Sequence, residues 1–120
     1  KEPTEGVSIT QMGYEEYPQS IGNVVRKVAS EFDGEILVTE NGIATEEDER
    51  RCLFIQKAMD SIRACVSEGI PVKGYLHWSL LDNFEWQAGY SKTFGLIAVD
   101  RSTQTRFPKK SLSILGSQQI

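Results

Sequence analysis

Residues 36–42 read "ILVTENG", three branched apolar residues followed by Thr39, the carboxylate Glu40 and an Asn-Gly step. The continuous apolar run predicts a short strand that is covered on both faces. The Asn-Gly step favours a turn directly after the strand. From the residues alone Glu40 has two interpretations: an acid where a strand reaches the surface, or a carboxylate held at the rim of a functional site.

The segments around this strand repeat one order of elements. Apolar residues at helical spacing predict a helix between Pro18 and Gly34, and a second helix follows over residues 45–69. Residues 72–80, "VKGYLHWSL", predict a second strand, and "LIAVD" at residues 96–100 predicts a third short one. Helices between strands indicate parallel strands joined by crossover connections, so we predict an α/β fold.

The ends of the helices and the two cysteines add detail. Thr45 precedes the acidic run "EEDE", and Asp48 stands three residues after it, where the capping partner at the start of the second helix would lie. A last short helix is expected from Pro108 onward.

Cys52 and Cys65 would lie roughly 220° and 20 Å apart on the second helix, too far for a disulfide. We therefore predict free, buried thiols and a reducing, cytoplasmic compartment.

Composition narrows the function classes. The 120 residues are 39% hydrophobic and 25% charged, which is typical of one globular domain and not of a disordered chain. The net charge is −4 and the basic residues are scattered, so neither nucleic acid nor an anionic membrane is an expected partner. No window approaches the roughly 18 apolar residues of a membrane span.

Longer motifs carry a family resemblance. "VTENG" at residues 38–42 and "GYLHWSLLDNFEWQAGYSKTFGLIAVD" at residues 74–100 together resemble the C-terminal part of family 1 glycoside hydrolases, the β-glucosidase family. "MGYEEYP" at residues 12–18, "RRCLFI" at residues 50–55 and "TRFPKKS" at residues 105–111 are similar to further segments of that family. The resemblance covers nearly the whole chain, and its motifs are long, ordered and rich in rare residues.

The resemblance implies a (β/α)₈ TIM barrel. Residues 1–120 would be the C-terminal portion of this glycoside hydrolase domain and would supply its last two βα units. Because such barrels need about 250 residues, the barrel would be incomplete in this chain. In barrels the functional residues lie at the C-terminal ends of strands, which is where Glu40 follows its apolar run.

The resemblance also implies roles for individual residues. Glu40 would be the nucleophile of a retaining β-glycosidase, which forms a covalent glycosyl-enzyme. Trp78 would be the platform on which the sugar stacks, and Glu85 would bind two sugar hydroxyls. Trp86 would donate its indole N–H to another hydroxyl, and Phe94 would form the wall near the exocyclic carbon. No metal or cofactor is implied.

Chemistry argued beside the resemblance supports a sugar site. A sugar presents apolar C–H faces and a ring of hydroxyls, so its pocket needs an aromatic plate beside charged or amide groups, and "WSLLDNFEW" at residues 78–86 offers both. An acid at Glu85 would repel a phosphate, which favours unphosphorylated β-glucosides or β-galactosides. Lys92 is expected at the surface, and Asp82 and Asn83 are expected to shape the loop. Alternation places His77 on the strand face opposite Trp78, which favours a core or helix-facing position over a role as a base.

Three departures from the family pattern bear on function. Thr93 replaces the usual Arg before Phe-Gly, and Tyr14 replaces a Trp, so local loop packing is expected to differ. The acid/base glutamate of the Asn-Glu-Pro motif is missing from these 120 residues. We therefore expect the chain to be inactive alone and to associate with the missing N-terminal barrel portion or with itself.

Two alternatives to an enzyme part stay open. A non-catalytic carbohydrate-binding module would use Trp78, Glu85 and Trp86 without needing Glu40. A structural fragment would bind nothing and would self-associate through its unpaired strand edges.

Overall fold

A computed structural model describes residues 3–120. The order of elements is the following: α1 (Ser20–Ala29), β1 (Ile36–Val38), α2 (Asp48–Ser67), β2 (Val72–Tyr75), a one-turn 3-10 helix (Trp86–Ala88), β3 (Ile97–Val99), β4 (Arg106–Pro108) and α3 (Lys110–Gly116). The predicted strand at Ile36–Val38 and the predicted second and last helices are confirmed. The strand is not covered on both faces as predicted, because Leu37 is 53% exposed. None of the described helices has the length and apolar character needed to cross a membrane.

Strands β1 and β2 form the predicted parallel pair, with α2 as the crossover helix. Ile36 is opposite Val72 and Val38 is opposite Tyr75. Because parallel strands end at the same edge of a sheet, the chain that leaves β1 and the chain that leaves β2 emerge side by side. The backbone N–H of Trp78 donates to the carbonyl oxygen of Asn41 at 2.9 Å, which holds the two loops together directly beyond the strands.

The second strand is shorter than predicted, because its pairing partner β1 stops at Val38. Regular pairing covers Val72–Tyr75 and not residues 72–80. The peptide bond between Trp78 and Ser79 is cis. From there the backbone pairs with a different segment: Ser79 donates to the Phe94 carbonyl at 3.3 Å, and Leu96 donates to the Ser79 carbonyl at 2.9 Å.

The third apolar run does not join this sheet. Residues Ile97–Val99 pair antiparallel with Arg106–Pro108, a strand that the sequence analysis missed. The turn between them is closed by the Asp100 carboxylate, which accepts hydrogen bonds from Ser102 and Thr103. These bonds lower the pKa of Asp100. Pro108 lies in β4 and α3 begins only at Lys110, which is compatible with the confinement of proline to strand edges.

Helix α2 is the centre of the fold and packs between α1 and α3. The main apolar core is built around it from the following buried residues: Val25, Val38, Ile55, Met59, Ile62, Cys65, Val72 and Leu96. Cys52 and Cys65 are free and buried, as predicted, and burial raises the pKa of both thiols.

Two helix termini differ from the prediction. The regular part of α1 ends at Ala29, before Gly34, and two further backbone bonds, from Glu31 and from Phe32 to the Val28 carbonyl, close its last turn. Asp48 does not cap α2. The capping position is Glu47, whose side chain makes no cap bond, and the Asp48 carboxylate instead binds side chains elsewhere in the fold.

Candidate active site

A cavity of about 480 Å³ lies where β1 and β2 end. This volume is in the range of small-molecule sites. It is lined by nine residues, namely Met12, Tyr14, Glu40, Asn41, Gly42, Trp78, Glu85, Trp86 and Phe94. The five residues that the sequence analysis selected as site residues are all among them. They come from segments up to 54 positions apart, from Glu40 to Phe94, and only the fold brings them together.

Glu40 is an exposed carboxylate at the cavity, two residues beyond β1. Its side chain makes no hydrogen bond or ion pair with any residue in the described range 3–120. Two backbone hydrogen bonds position it: the Val38 carbonyl accepts the N–H of Leu76 at 2.8 Å, and the Asn41 carbonyl accepts that of Trp78 at 2.9 Å. Glu40 is therefore held by its backbone while its carboxylate stays free.

Gly42 allows the two loops to approach this closely. A Cβ at Gly42 would lie 1.8 Å from the carbonyl oxygen of Trp78, which is far inside any contact distance. The turn predicted at the Asn-Gly step is not formed, because residues 39–45 run as irregular backbone and Gly42 has no positive φ. Gly42 is required instead for the close approach of the backbone that carries Trp78.

A chain of hydrogen-bonded polar side chains, Tyr75 and His77, holds the Asn41 amide. The Asn41 amide donates to the Tyr75 hydroxyl at 3.0 Å, and that hydroxyl lies 3.0 Å from Nδ1 of His77. Burial raises the pKa of Tyr75 to about 12. Burial, followed by the charge of Arg51, lowers the pKa of His77 to about 4, so the imidazole is neutral at physiological pH. His77 is not among the lining residues, as the alternation along the strand predicted.

A short loop presents the next two site residues. The N–H of Glu85 donates to the Gly89 carbonyl at 2.7 Å, and the N–H of Ala88 donates to the Glu85 carbonyl at 2.7 Å. Trp86 adopts a positive φ of 38° in this loop, and 83% of its surface is exposed to solvent. Because the loop is closed by its own backbone, it can display a large indole to solvent without support from a core.

Asp82 and Asn83 shape the neighbouring chain, as expected. The Asp82 carboxylate accepts the Gly95 N–H at 2.7 Å and binds the Lys109 ammonium at 2.9 Å. The Asn83 amide donates to the Leu81 carbonyl at 3.2 Å. The Asp82 bond holds the chain directly after Phe94, at Gly95, and neither Asp82 nor Asn83 lines the cavity.

The sequence analysis missed Met12 and Tyr14 as lining residues. For Tyr14 the sequence predicts only a difference in loop packing. The signal for both residues is the segment "MGYEEYP", which resembles the family but predicts no role for them. The segment reaches the site because Gln11 donates its N–H to the Ala44 carbonyl at 3.0 Å. Met12 and Tyr14, with Glu85 and Trp86, also line an adjoining cavity of about 670 Å³.

Comparison with known proteins identifies the family. Residues 1–117 match the family model described as Glycosyl hydrolase family 1. The chain belongs to glycosyl hydrolase family 1. The resemblance of its motifs to this family is thereby confirmed. In the described part of this family 1 chain, no group of three or more His, Cys, Asp or Glu residues could hold a metal ion.

Relatives of this family 1 chain are longer. It is 41% identical over 112 residues to Beta-glucosidase A of Thermotoga maritima, which covers 85% of the chain and 25% of the relative. It is 35% identical over 106 residues to a Beta-galactosidase of Saccharolobus solfataricus, with 88% of the chain and 22% of the relative covered. The chain therefore spans about a quarter of the length of these relatives.

Comparison with solved structures likewise matches the chain to part of longer proteins. The apo structure of a beta-glucosidase 1317 superposes with a TM-score of 0.91 at 51% identity, covering 94% of the chain and 28% of that structure. The family 1 β-glucosidase from Thermotoga maritima in complex with isofagomine lactam gives a TM-score of 0.85 at 39% identity, covering 91% and 27%. The chain has the fold of one part of these enzymes.

Proposed function

We propose that this family 1 chain carries the nucleophile side of a retaining β-glycosidase site. The single observation that supports it most is the shared cavity of Glu40, Trp78, Glu85, Trp86 and Phe94. A free carboxylate beside two indoles, an acid and an apolar ring is the set of groups that a sugar and its anomeric carbon require.

Each side chain has one task in the proposed reaction. A Glu40 oxygen forms a bond to the anomeric carbon while the bond from that carbon to the leaving oxygen breaks. Trp78 stacks on the C–H face of the sugar, Glu85 accepts from two hydroxyls, and Trp86 donates its indole N–H to a third. Phe94 excludes water near the exocyclic carbon. Water then attacks the anomeric carbon and frees Glu40.

The proposed substrates are unphosphorylated β-glucosides or β-galactosides. Among residues 3–120, those that line the cavity include two acids, Glu40 and Glu85, and no Lys or Arg. A phosphate would meet like charge there without a compensating cation. The printed names of the relatives, a β-glucosidase and a β-galactosidase, support the same substrate class.

The proposed site is completed from outside these 120 residues. The leaving oxygen needs a proton, and the residue that gives it later takes one from the attacking water. With Glu85 assigned to hydroxyl binding, we assign this acid/base to an earlier barrel strand. Residues 1–120 would then be the C-terminal portion of the barrel domain, with β1 and β2 in its last two βα units. The chain alone would be inactive.

The surface area supports this assignment. The chain exposes 7616 Å², whereas a compact monomer of its mass exposes about 6,500 Å². The excess fits a chain that is covered by further protein in its active form.

A hybrid barrel tests the proposal. In Beta-glucosidase A of Thermotoga maritima the matching quarter is replaced by this chain, and hydrolysis of an aryl β-glucoside is measured. Glu40→Gln is expected to abolish turnover. A 2-deoxy-2-fluoro glucoside with a good leaving group should label the peptide that contains Glu40. In Glu40→Ala, added azide should restore cleavage of an activated substrate and give the α-glycosyl azide.

The matched control is Glu46→Gln, because Glu46 is an exposed acid outside the cavity lining. This variant should keep the rate of the unmodified hybrid. Turnover that survives Glu40→Gln would refute the assignment of the nucleophile. Hydrolysis by the 120-residue chain alone, lost in Glu40→Gln, would refute the external acid/base.

A carbohydrate-binding role without catalysis is the second candidate. It is favoured by the exposure of Trp86, which offers a stacking surface that needs no nucleophile. Titration with a glucose-mimicking amine distinguishes the two candidates. Binding that is lost in Trp86→Ala, in a hybrid that forms no covalent adduct at Glu40, would favour this second role.

A further inference from the structure

Three segments that line the cavity meet beneath it at Thr93. Residues 10–14 carry Met12 and Tyr14, residues 40–45 carry Glu40, and residues 93–95 carry Phe94. Four residues join these segments, and we refer to them as the Thr93 clasp: Gln11, Thr45, Arg51 and Thr93.

Thr93 connects two of the segments through its own polar groups. Its N–H donates to Oε1 of Gln11 at 2.9 Å. Its hydroxyl lies 3.0 Å from the same Gln11 oxygen and 2.9 Å from the Thr45 carbonyl, and its proton can be donated to either. The Thr93 carbonyl in turn accepts the N–H of Thr45 at 3.1 Å.

Arg51 anchors this junction in the fold. The side chain projects from α2 and is fully buried. Its Nη2 donates to the carbonyl oxygens of Thr45 and of Thr93, the latter at 2.7 Å. Its Nη1 binds the Asp48 carboxylate at 2.6 Å, which balances the buried charge. The backbones on either side of the cavity are therefore tied to one rigid helix.

We propose that Thr93 is a positioning residue that holds the Met12 and Phe94 walls of the cavity at the spacing that sugar binding requires. The inference rests on the proposed function. Phe94 follows Thr93 directly and Met12 follows Gln11, so a shift of either clasp residue moves a wall. Thr93 stands where the resemblance predicts Arg, and its small hydroxyl suits a junction between two backbones and an amide.

Substitution in the hybrid barrel tests the proposal. Thr93→Val keeps the shape of the side chain but removes the hydroxyl that donates to Gln11 or to Thr45, while the backbone N–H at position 93 still donates to Gln11. The dissociation constant of a glucose-mimicking amine should rise on the order of tenfold, because lost hydrogen bonds and small misplacements have effects of this size. Thr93→Ser should bring affinity back to within about threefold. Thr105→Val, the same change in the exposed β3–β4 turn, should leave affinity unaltered.

A purely structural role predicts a different result. Thr93→Val would then lower Tm while the folded protein bound the amine as tightly as the unmodified hybrid, and this outcome would overturn the inference. If Thr93→Val does not fold, Gln11→Met removes the amide acceptor instead and should weaken binding in the same way. Unchanged affinity in folded Gln11→Met would equally overturn it.

A readout without sugar separates this inference from the proposed function. Amide hydrogen exchange of residues 42–45 and 93–95 should speed up together in Thr93→Val and not in Thr105→Val. Unchanged exchange would overturn the inference whether or not Glu40 proves to be the nucleophile. Suppose that Thr93→Val speeds up exchange and weakens amine binding, while turnover of the hybrid survives Glu40→Gln. The positioning role of Thr93 would then be supported, and the assignment of Glu40 as the nucleophile would be refuted.

Discussion

At the scale of single residues, the carboxylate of Asp48 neutralises the buried positive charge of Arg51. Asp48 is 23% exposed at its side chain, whereas Arg51 is 0% exposed. The same carboxylate accepts the N–H of Ser111 at 2.9 Å and its hydroxyl at 2.6 Å, which links α2 to the first turn of α3. Asp48 thus neutralises a buried cation and joins two helices.

Asp48→Asn is expected to lower the unfolding free energy of the chain by about 3 kcal/mol, since it leaves Arg51 buried without a counter-charge. Urea denaturation followed by circular dichroism measures the change. The adjacent Glu49→Gln is the control, because Glu49 and its partner Lys110 are both largely exposed. It should shift the midpoint little. Equal effects of the two substitutions would contradict the role given to Arg51.

His77 gives the chain a pH dependence of stability. Its pKa is lowered from 6.5 to about 4 by burial and then by Arg51, so between these values the unfolded state binds a proton that the folded state does not. The contribution of His77 to the unfolding free energy is therefore fully present above about pH 6.5. It is lost as the pH decreases towards 4, by about 3 kcal/mol in total.

The sequence contains one histidine, so His77→Gln isolates this effect. Unfolding free energies at pH 7 and at pH 5 should differ in the unmodified chain and should differ much less in the variant. If both proteins lose the same stability over this interval, the neutral, buried state assigned to His77 is wrong.

At the scale of elements, the packing of α1 on α2 depends on a close approach at Gly22. A Cβ there would lie 2.1 Å from the Ser61 hydroxyl and 3.1 Å from the Ser61 carbonyl. The carbonyl of Gly22 also accepts a weak hydrogen bond from the thiol of Cys65 at 3.5 Å. The two helices meet almost backbone to backbone at this point.

Gly22→Ala should destabilise the chain by about 1–3 kcal/mol, although alanine is the better helix former, because the added methyl forces α1 away from α2. Gly116→Ala is the matched control, since a Cβ at Gly116 meets open space. It should leave the thermal midpoint unchanged or raise it slightly. A Gly22→Ala chain as stable as the unmodified one would show that the helices do not pack as described.

At the scale of the whole molecule, one face of the β1–β2 pair is uncovered. Leu37 lies over Gly74, and Leu76 follows two residues later on the same face. Both leucines are more than half exposed. A two-stranded parallel pair with an open apolar face and free edges is a surface for association.

The 120-residue chain is therefore expected to self-associate, with an apparent mass on a sizing column that rises with concentration. The double substitution Leu37→Gln and Leu76→Gln should shift it towards the monomer. Leu53→Gln, at an equally exposed leucine on α2, should not. A monodisperse monomer at all concentrations would contradict this expectation.

Patterns in the sequence predicted the elements that depend on near neighbours. The apolar run before "TENG" predicts β1, helical spacing predicts α2, and the separation of thirteen positions from Cys52 to Cys65 on that helix excludes a disulfide. The β3–β4 hairpin and the early end of β2 were not predictable in this way. In both, a strand is defined by the backbone with which it pairs, which is the next segment along the chain for β3 and β4 and a distant one for β2. Apolar periodicity carries no information about that partner.

For the site, the motifs alone determined the family resemblance and the five residues that we propose as sugar-binding and reacting groups. Only the tertiary structure brought them to one cavity, added Met12 and Tyr14, and joined Gln11 to Thr93 across 82 positions of sequence. The physical reason is the separation along the chain between the residues that interact. A motif records which side chains are present, whereas cavity walls, buried charges and pKa shifts arise from contacts between residues far apart in the chain.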